Sequence, residues 1–251
     1  MNICCRQGFT LVELLVAIVL ATIVSAVIYS AYEVQTNIYQ EQSDVVQVQQ
    51  NIRSSLAFLQ REARMAGYRK GADVSDTSCS AAPAAGPAQA PGIHTATATT
   101  LGFSMDLNGD GDCADAGENV LYQLFSNSDN IQCLGRNDLT DAQAQQAIAD
   151  NIDNLEFVYL FEPPRIGSPV DKPPTSTPSA EQLEDIRTVQ VSLLARAALP
   201  AKKRAQVRSF TLPKPDAWGQ PGSGGTEMNV DDDKVRRRVL TTLINFRNLG
   251  L

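Results

Sequence analysis

One acidic residue stands where solvation cannot account for it. Glu13 lies near the start of a run from Phe9 to Ala31 that carries no other charge. Such a run is long enough to cross a bilayer as a helix, which takes about 20 residues. A carboxylate in hydrocarbon costs roughly 3 kcal/mol on insertion scales, so an acid placed there is a functional candidate and needs a partner. Ahead of the run lies a short polar leader, Met1 to Gln7, with the cation Arg6, and then Gly8.

A second constellation of oxygen donors follows in the middle of the chain. Asp106, Asn108, Asp110 and Asp112 alternate with Leu107, Gly109 and Gly111 and suit a hard cation such as calcium. Their spacing matches the start of a calcium loop, with oxygens at positions one, three and five and Gly111 at six. The pattern departs at position twelve, which is Gly117, with the acid Glu118 one residue later. Asn-Gly and Asp-Gly are also the strongest hairpin dipeptides, so a polar turn without metal explains the stretch equally. Apart from calcium here, no cofactor is expected.

Other chemistry is missing from the sequence. His94 is the single histidine, with no cysteine or histidine at ligand spacing, and reads as a surface residue. No phosphate-binding loop, nucleophile elbow or zinc-spaced cysteine pair occurs, which argues against an enzyme. The formal net charge is −7, and loss of Arg6 with the leader would make the chain more acidic. That balance argues against strong nucleic-acid affinity, which needs phosphate-neutralising cations. A DNA- or ligand-binding surface at Lys202, Lys203, Arg204 and Arg208 is a minor alternative. Asp231-Asp232-Asp233 beside Arg236-Arg237-Arg238 reads as a solvated charge run.

Five cysteines are present. Cys4 and Cys5 lie in the leader. Arg6 on the cytoplasmic side directs the rest outward, into an oxidising compartment that permits disulfides. Cys113–Cys133 is the favoured pair, closing a loop worth about 3 kcal/mol in the chain-entropy model. Cys79 with either one is the alternative.

One helix must carry Glu13. After the apolar half, Val34, Ile38, Val45, Val48, Ile52, Leu56, Leu59 and Ala63 fall at three- and four-residue spacings and make one stripe. No proline interrupts Met1 to Tyr68, and Gly67 is a natural C-cap. Residues 68–98 read as a proline-rich loop. From 99 onward the period becomes two, with strands over Thr99–Met105, Asn119–Phe125, Leu155–Phe161, Ile186–Ala197 and Arg236–Leu249. Thr140–Ala149 reads as a short helix, 163–180 as an exposed proline loop and 198–233 as irregular. The expected core is Ile52, Leu56, Leu59, Phe103, Leu121, Phe157, Tyr159, Val191, Leu193, Leu243 and Ile244. The fold class is α+β, a long N-terminal helix covering a mainly antiparallel sheet.

Gly8-Phe9-Thr10-Leu11-Val12-Glu13 with its basic leader and apolar helix resembles the N-terminus of type IV prepilins and type II secretion pseudopilins. The later pieces Leu59–Tyr68 and Val239–Leu251 resemble the PilW group of minor pilins. The resemblance implies a pilin-like fold and cleavage after Gly8 by a membrane prepilin peptidase, which then N-methylates Phe9. It also implies pairing of Glu13 with the Phe9 amine of a neighbouring subunit. The expected partition is a leader at 1–8, a membrane or filament-core helix at 9–31, its amphipathic half at 32–67 and a periplasmic β-rich domain at 68–251. The implied partners are the major pilin, other minor pilins, a tip adhesin and the inner membrane. The implied role is initiation of a type IV pilus, at or near its tip, with a type II secretion pseudopilin as the alternative. An ordinary signal peptide cut after Ala26, or a plain signal anchor, would leave Glu13 without a purpose.

Overall fold

The computed structural model describes residues 9–69, 92–110, 112–140, 145–161, 172–197, 209–215, 221–229 and 235–249, and for 209–229 the backbone alone. The chain divides into two compact units, Met1–Asp44 and Val45–Leu251.

Helix α1 runs Leu11–Ala63 and passes through both units. Thr10 begins it: the Glu13 amide donates to Thr10 Oγ1 at 3.3 Å, satisfying one of the four orphan donors of a helix start. No proline or glycine lies between Thr10 and Ala66, so nothing breaks the ladder over this length. The hydroxyls of Thr22, Ser25 and Ser30 donate back to the carbonyls of Val19, Ala21 and Val27. After Ala63 the chain tightens into turns and ends at Gly67, whose φ of 75° is the left-handed conformation glycine adopts freely. The Gly67 amide donates to Ser104 O at 2.9 Å, which carries the helix end onto the sheet.

Within the second unit, Val48, Ile52, Leu56, Leu59 and Ala63 are buried. The stripe expected from the sequence is covered only there. Val34 and Ile38, on the same face but in the first unit, are 54% and 48% exposed.

Two antiparallel sheets and a hairpin make up the rest. In the first sheet the order is β1-β2-β3-β4-β5: Ile93–Ala96, Leu101–Ser104, Asn119–Ser126, Gln132–Asp138 and Gln146–Asp150. The second sheet has the order β10-β7-β6, from Arg237–Asn245, Ile186–Arg196 and Ile152–Phe161. Strands β8, Ser209–Pro215, and β9, Pro221–Asn229, pair with each other. Asn151, at φ 60°, is the corner by which β5 leaves the first sheet and becomes β6 of the second; asparagine tolerates this region better than most residues. The outer edge of β6 is not left bare: Phe157 N donates to Ala98 O, and Tyr159 exchanges backbone bonds with Thr175. Covering an edge in this way blocks unwanted strand pairing.

One hydrophobic cluster joins the buried part of α1 to both sheets. It includes Ile52, Leu56, Leu59, Phe103, Tyr122, Leu134, Leu155, Phe157, Tyr159, Val189, Val191, Leu193 and Ile244. Each such large apolar side chain contributes about 1.5–3 kcal/mol by burial. The α+β class expected from the sequence is the observed one.

Several local expectations are corrected. Leu121 is only half-buried, and Tyr122 with Val120 takes the core face, because neighbouring strand residues point to opposite sides. For the same reason Leu243 is exposed while Ile244 is buried. Of the expected helix Thr140–Ala149, residues 141–144 lie outside the described residues, and Gln146–Asp150 is strand β5 paired to β4. Its alanines favour helix in isolation, but pairing to a sheet edge and burial of Ala149 override that weak preference. The stretch 198–233, expected to be irregular, contains the β8–β9 hairpin. In the expected loop 163–180, residues 163–171 lie outside the described residues, and a 3-10 turn spans Ala180–Asp185.

Candidate functional site

The N-terminal segment presents a continuous apolar surface. From Leu11 to Tyr32 its side chains are almost all apolar and none of them is buried. Phe9, Leu11, Val12, Leu14 and Leu15 around Glu13 are all exposed. Glu13 sits in the first turn of α1, where the positive end of the helix dipole favours a carboxylate. Glu13 follows Phe9 by four positions, about one helical turn along an axis. Gly8 lies outside the described residues.

The acidic loop is organised by its own amides. Glu118 is buried, and its Oε1 accepts from Leu107 N at 2.8 Å and Asn108 N at 3.3 Å, while Oε2 accepts from Asp115 N at 3.3 Å. Asp106 is buried, and its Oδ1 accepts from Gly109 N at 2.5 Å. Asn108 Oδ1, Asp110 Oδ1 and Asp112 Oδ1 each accept the amide two residues on, the Asx turns expected of these side chains. Among the described residues, the acidic side chains with oxygens within 4.8 Å of one another are Asp110, Asp112 and Asp115. Asp115 was absent from the sequence-based set, and Asp106 and Glu118 are not in the group. Gly117 N donates to Asp138 Oδ2 at 2.5 Å, tying the loop to β4.

The cysteine pairing differs from the favoured one. Cys113 is disulfide-bonded, whereas Cys133 is a free, buried thiol. A bond between Cys113 and Cys133 is therefore not the one formed, and Cys79 lies outside the described residues. Cys133 Sγ donates to Asp150 Oδ1 at 3.0 Å. Burial, then the hydrogen bond and charge of Asp150, push the thiol pKa up to about 11. The group is thus protonated and poorly nucleophilic.

His94 is not a surface residue. Its ring lies over Gly102, where an added Cβ would come within 2.4 Å of Cε1. Nδ1 lies 2.9 Å from Thr95 Oγ1. Nε2 and Asn119 Oδ1 are buried without reaching hydrogen-bond geometry. Burial pushes the imidazole pKa down, and the neighbouring Asn119 side chain and Phe103 backbone offset part of that. The Lys202–Arg204 run and Arg208 lie outside the described residues. Arg237 is not solvated: it pairs with Asp153, which also meets Arg196 Nε at 3.3 Å.

One constellation escaped the sequence reading. Glu62 on α1 accepts from Tyr122 OH at 2.6 Å and Arg136 Nε at 2.9 Å. These partners lie on β3 and β4, 60 and 74 positions from Glu62, and no spacing along the chain pointed to them. Burial and then the Glu62 charge push the Tyr122 hydroxyl pKa up, so the phenol remains a donor. The group clamps helix to sheet.

Comparison with known proteins bears on this arrangement. A family model of the prokaryotic N-terminal methylation motif matches residues 4–29. A second, Type IV Pilus-assembly protein W, matches residues 119–248. No curated protein sequence matches the chain. Among solved structures, a type IV-like pilin from Thermus thermophilus aligns with 14% identity and a TM-score of 0.46, covering 80% of this chain and 97% of that one. The second match spans more than half of the chain and includes β3 through β10, the strands that hold Arg136, Tyr122 and the sheet facing α1. With the methylation motif and the exposed apolar helix at the other end, the chain belongs to the Type IV Pilus-assembly protein W family and is a minor pilin of that type.

Proposed function

We propose that this minor pilin is cut after Gly8, N-methylated on Phe9 and held in the inner membrane by α1, with its second unit in the periplasm. It then helps to start a type IV pilus and remains in the filament, at or near the tip, against the major pilin and other minor pilins. The observation that carries this reading is the acid of Glu13 in the first turn of a helix whose membrane-length apolar stretch is exposed throughout. Such a surface is stable in lipid and equally stable among like helices, so moving from one to the other costs little. The Phe9 amine of a neighbouring subunit supplies the cation Glu13 requires, and stranding either charge by removing the other would cost about 3–5 kcal/mol.

Two variants test the proposal in the native host. Gly8→Ala is expected to leave the leader attached, seen as an unshortened chain on a gel; normal shortening would contradict the cut site. Glu13→Ala is expected to keep the chain in the membrane fraction while depleting it from sheared filaments. Undiminished recovery in filaments would remove the pairing.

A further inference from the structure

We propose that Tyr29 and Tyr32 form an interfacial anchor that sets how deeply α1 sits in a bilayer, their partner being the lipid headgroup layer on the outer side. The inference rests on the membrane residence proposed above and adds a fixed depth to it. From Leu14 to Tyr32 no side chain carries a charge, and Glu33 is the first acid beyond. Along the helix axis, Leu11 to Tyr29 spans about 27 Å and Leu11 to Tyr32 about 32 Å at 1.5 Å per residue. These lengths bracket a hydrocarbon thickness of about 30 Å. The two tyrosines therefore fall where hydrocarbon gives way to headgroups.

Their side chains are free to use that boundary. Tyr29 and Tyr32 are 65% and 64% exposed, and three residues apart they share one side of the helix. A tyrosine has an apolar body and a polar tip, the combination enriched at membrane–water interfaces. Deeper hydroxyls make no such demand for water, because Thr22 and Ser25 already donate to carbonyls of their own helix. Tyr39 is equally exposed, at 62%, but lies about 15 Å beyond Tyr29 and past Glu33. The proposal places it in water, so exposure alone does not define the anchor; depth does.

The test uses the full-length chain in vesicles of phosphatidylethanolamine and phosphatidylglycerol whose acyl chains carry bromine either near the headgroup or near the methyl end. Trp218→Phe removes the native indole, and Ile18→Trp, Tyr29→Trp, Tyr32→Trp and Tyr39→Trp each introduce one probe. Positions 29 and 32 are expected to lose most of their emission to the shallow bromines and little to the deep ones. Position 18 should show the reverse, and position 39 should emit as in water with little loss to either. If the protein does not float with vesicles and position 18 is unquenched, the membrane reading itself fails. If it floats with position 18 quenched, but positions 29 and 32 report deep bromines, water, or shielding from all bromines by a neighbouring protein, the anchor is overturned. Quenching of position 39 by shallow bromines would overturn it as well.

Discussion

At the scale of single residues, the decisive groups are polar side chains that the fold draws largely out of water. Glu62 receives both Tyr122 and Arg136. Removing one member leaves the others partly desolvated without a counter-group, a loss of about 1–3 kcal/mol. Glu62→Ala is expected to lower the unfolding free energy by that amount in denaturant titration, and Glu62→Gln, which can still accept from Tyr122, by less. His94 makes a different demand. Its folded pKa lies below the ordinary 6.5 because burial disfavours the cation. Above 6.5 the ring is neutral in both states and the contribution is complete. As pH falls from 6.5 toward the folded value, the unfolded chain takes up a proton that the folded chain refuses, so stability declines across that window. Melting curves between pH 7 and 5 are expected to show this decline, and His94→Gln is expected to reduce it. Neither role was visible beforehand. A lone histidine and a glutamate on an amphipathic helix look solvated until residues 102, 119, 122 and 136 are brought against them.

At the scale of elements, the acidic loop between β2 and β3 illustrates how one pattern serves two purposes. Its acids match a cation loop in spacing, yet Asp106, Asn108, Asp110, Asp112 and Glu118 all accept backbone amides of the loop itself. A loop satisfied in this way keeps its shape through its own hydrogen bonds. Stripping calcium with a chelator is therefore expected to leave the melting temperature of the domain unchanged. A clear fall would show that an ion bound through Asp110, Asp112 and Asp115 is part of the fold. The loop is joined to β4 through Gly117 and Asp138 and to the end of α1 through Asp106 N and Tyr68 O. It sits beside the helix terminus as a built part of the domain.

At the scale of the molecule, the two units answer to different solvents. The first exposes apolar side chains over its described length, whereas the second has its own hydrophobic cluster beginning at Val48. A fragment starting at Asn37 retains every residue of that cluster and omits the membrane-length run. It is expected to be soluble, monomeric and cooperative in unfolding, as judged by sedimentation and by coincident melting of two spectroscopic probes. Aggregation or a non-cooperative melt would show that the first unit is needed for the second to fold.

What the sequence determined by itself was everything written in local terms. The apolar run, Glu13 within it, the stripe from Val48 to Ala63, the stop at Gly67 and five of the ten described strands, β2, β3, β6, β7 and β10, follow from period, capping and turn chemistry along the chain. Contacts between partners far apart in sequence were settled by the folded chain. Gln146–Asp150 became a strand because β4 offered a free edge; Tyr122 rather than Leu121 entered the core because pairing set its face. Cys133 stayed a thiol beside Asp150, and Glu62 found Arg136 across 74 positions. Such pairings depend on which surfaces meet after the chain closes long loops, and spacing along the chain does not encode that meeting.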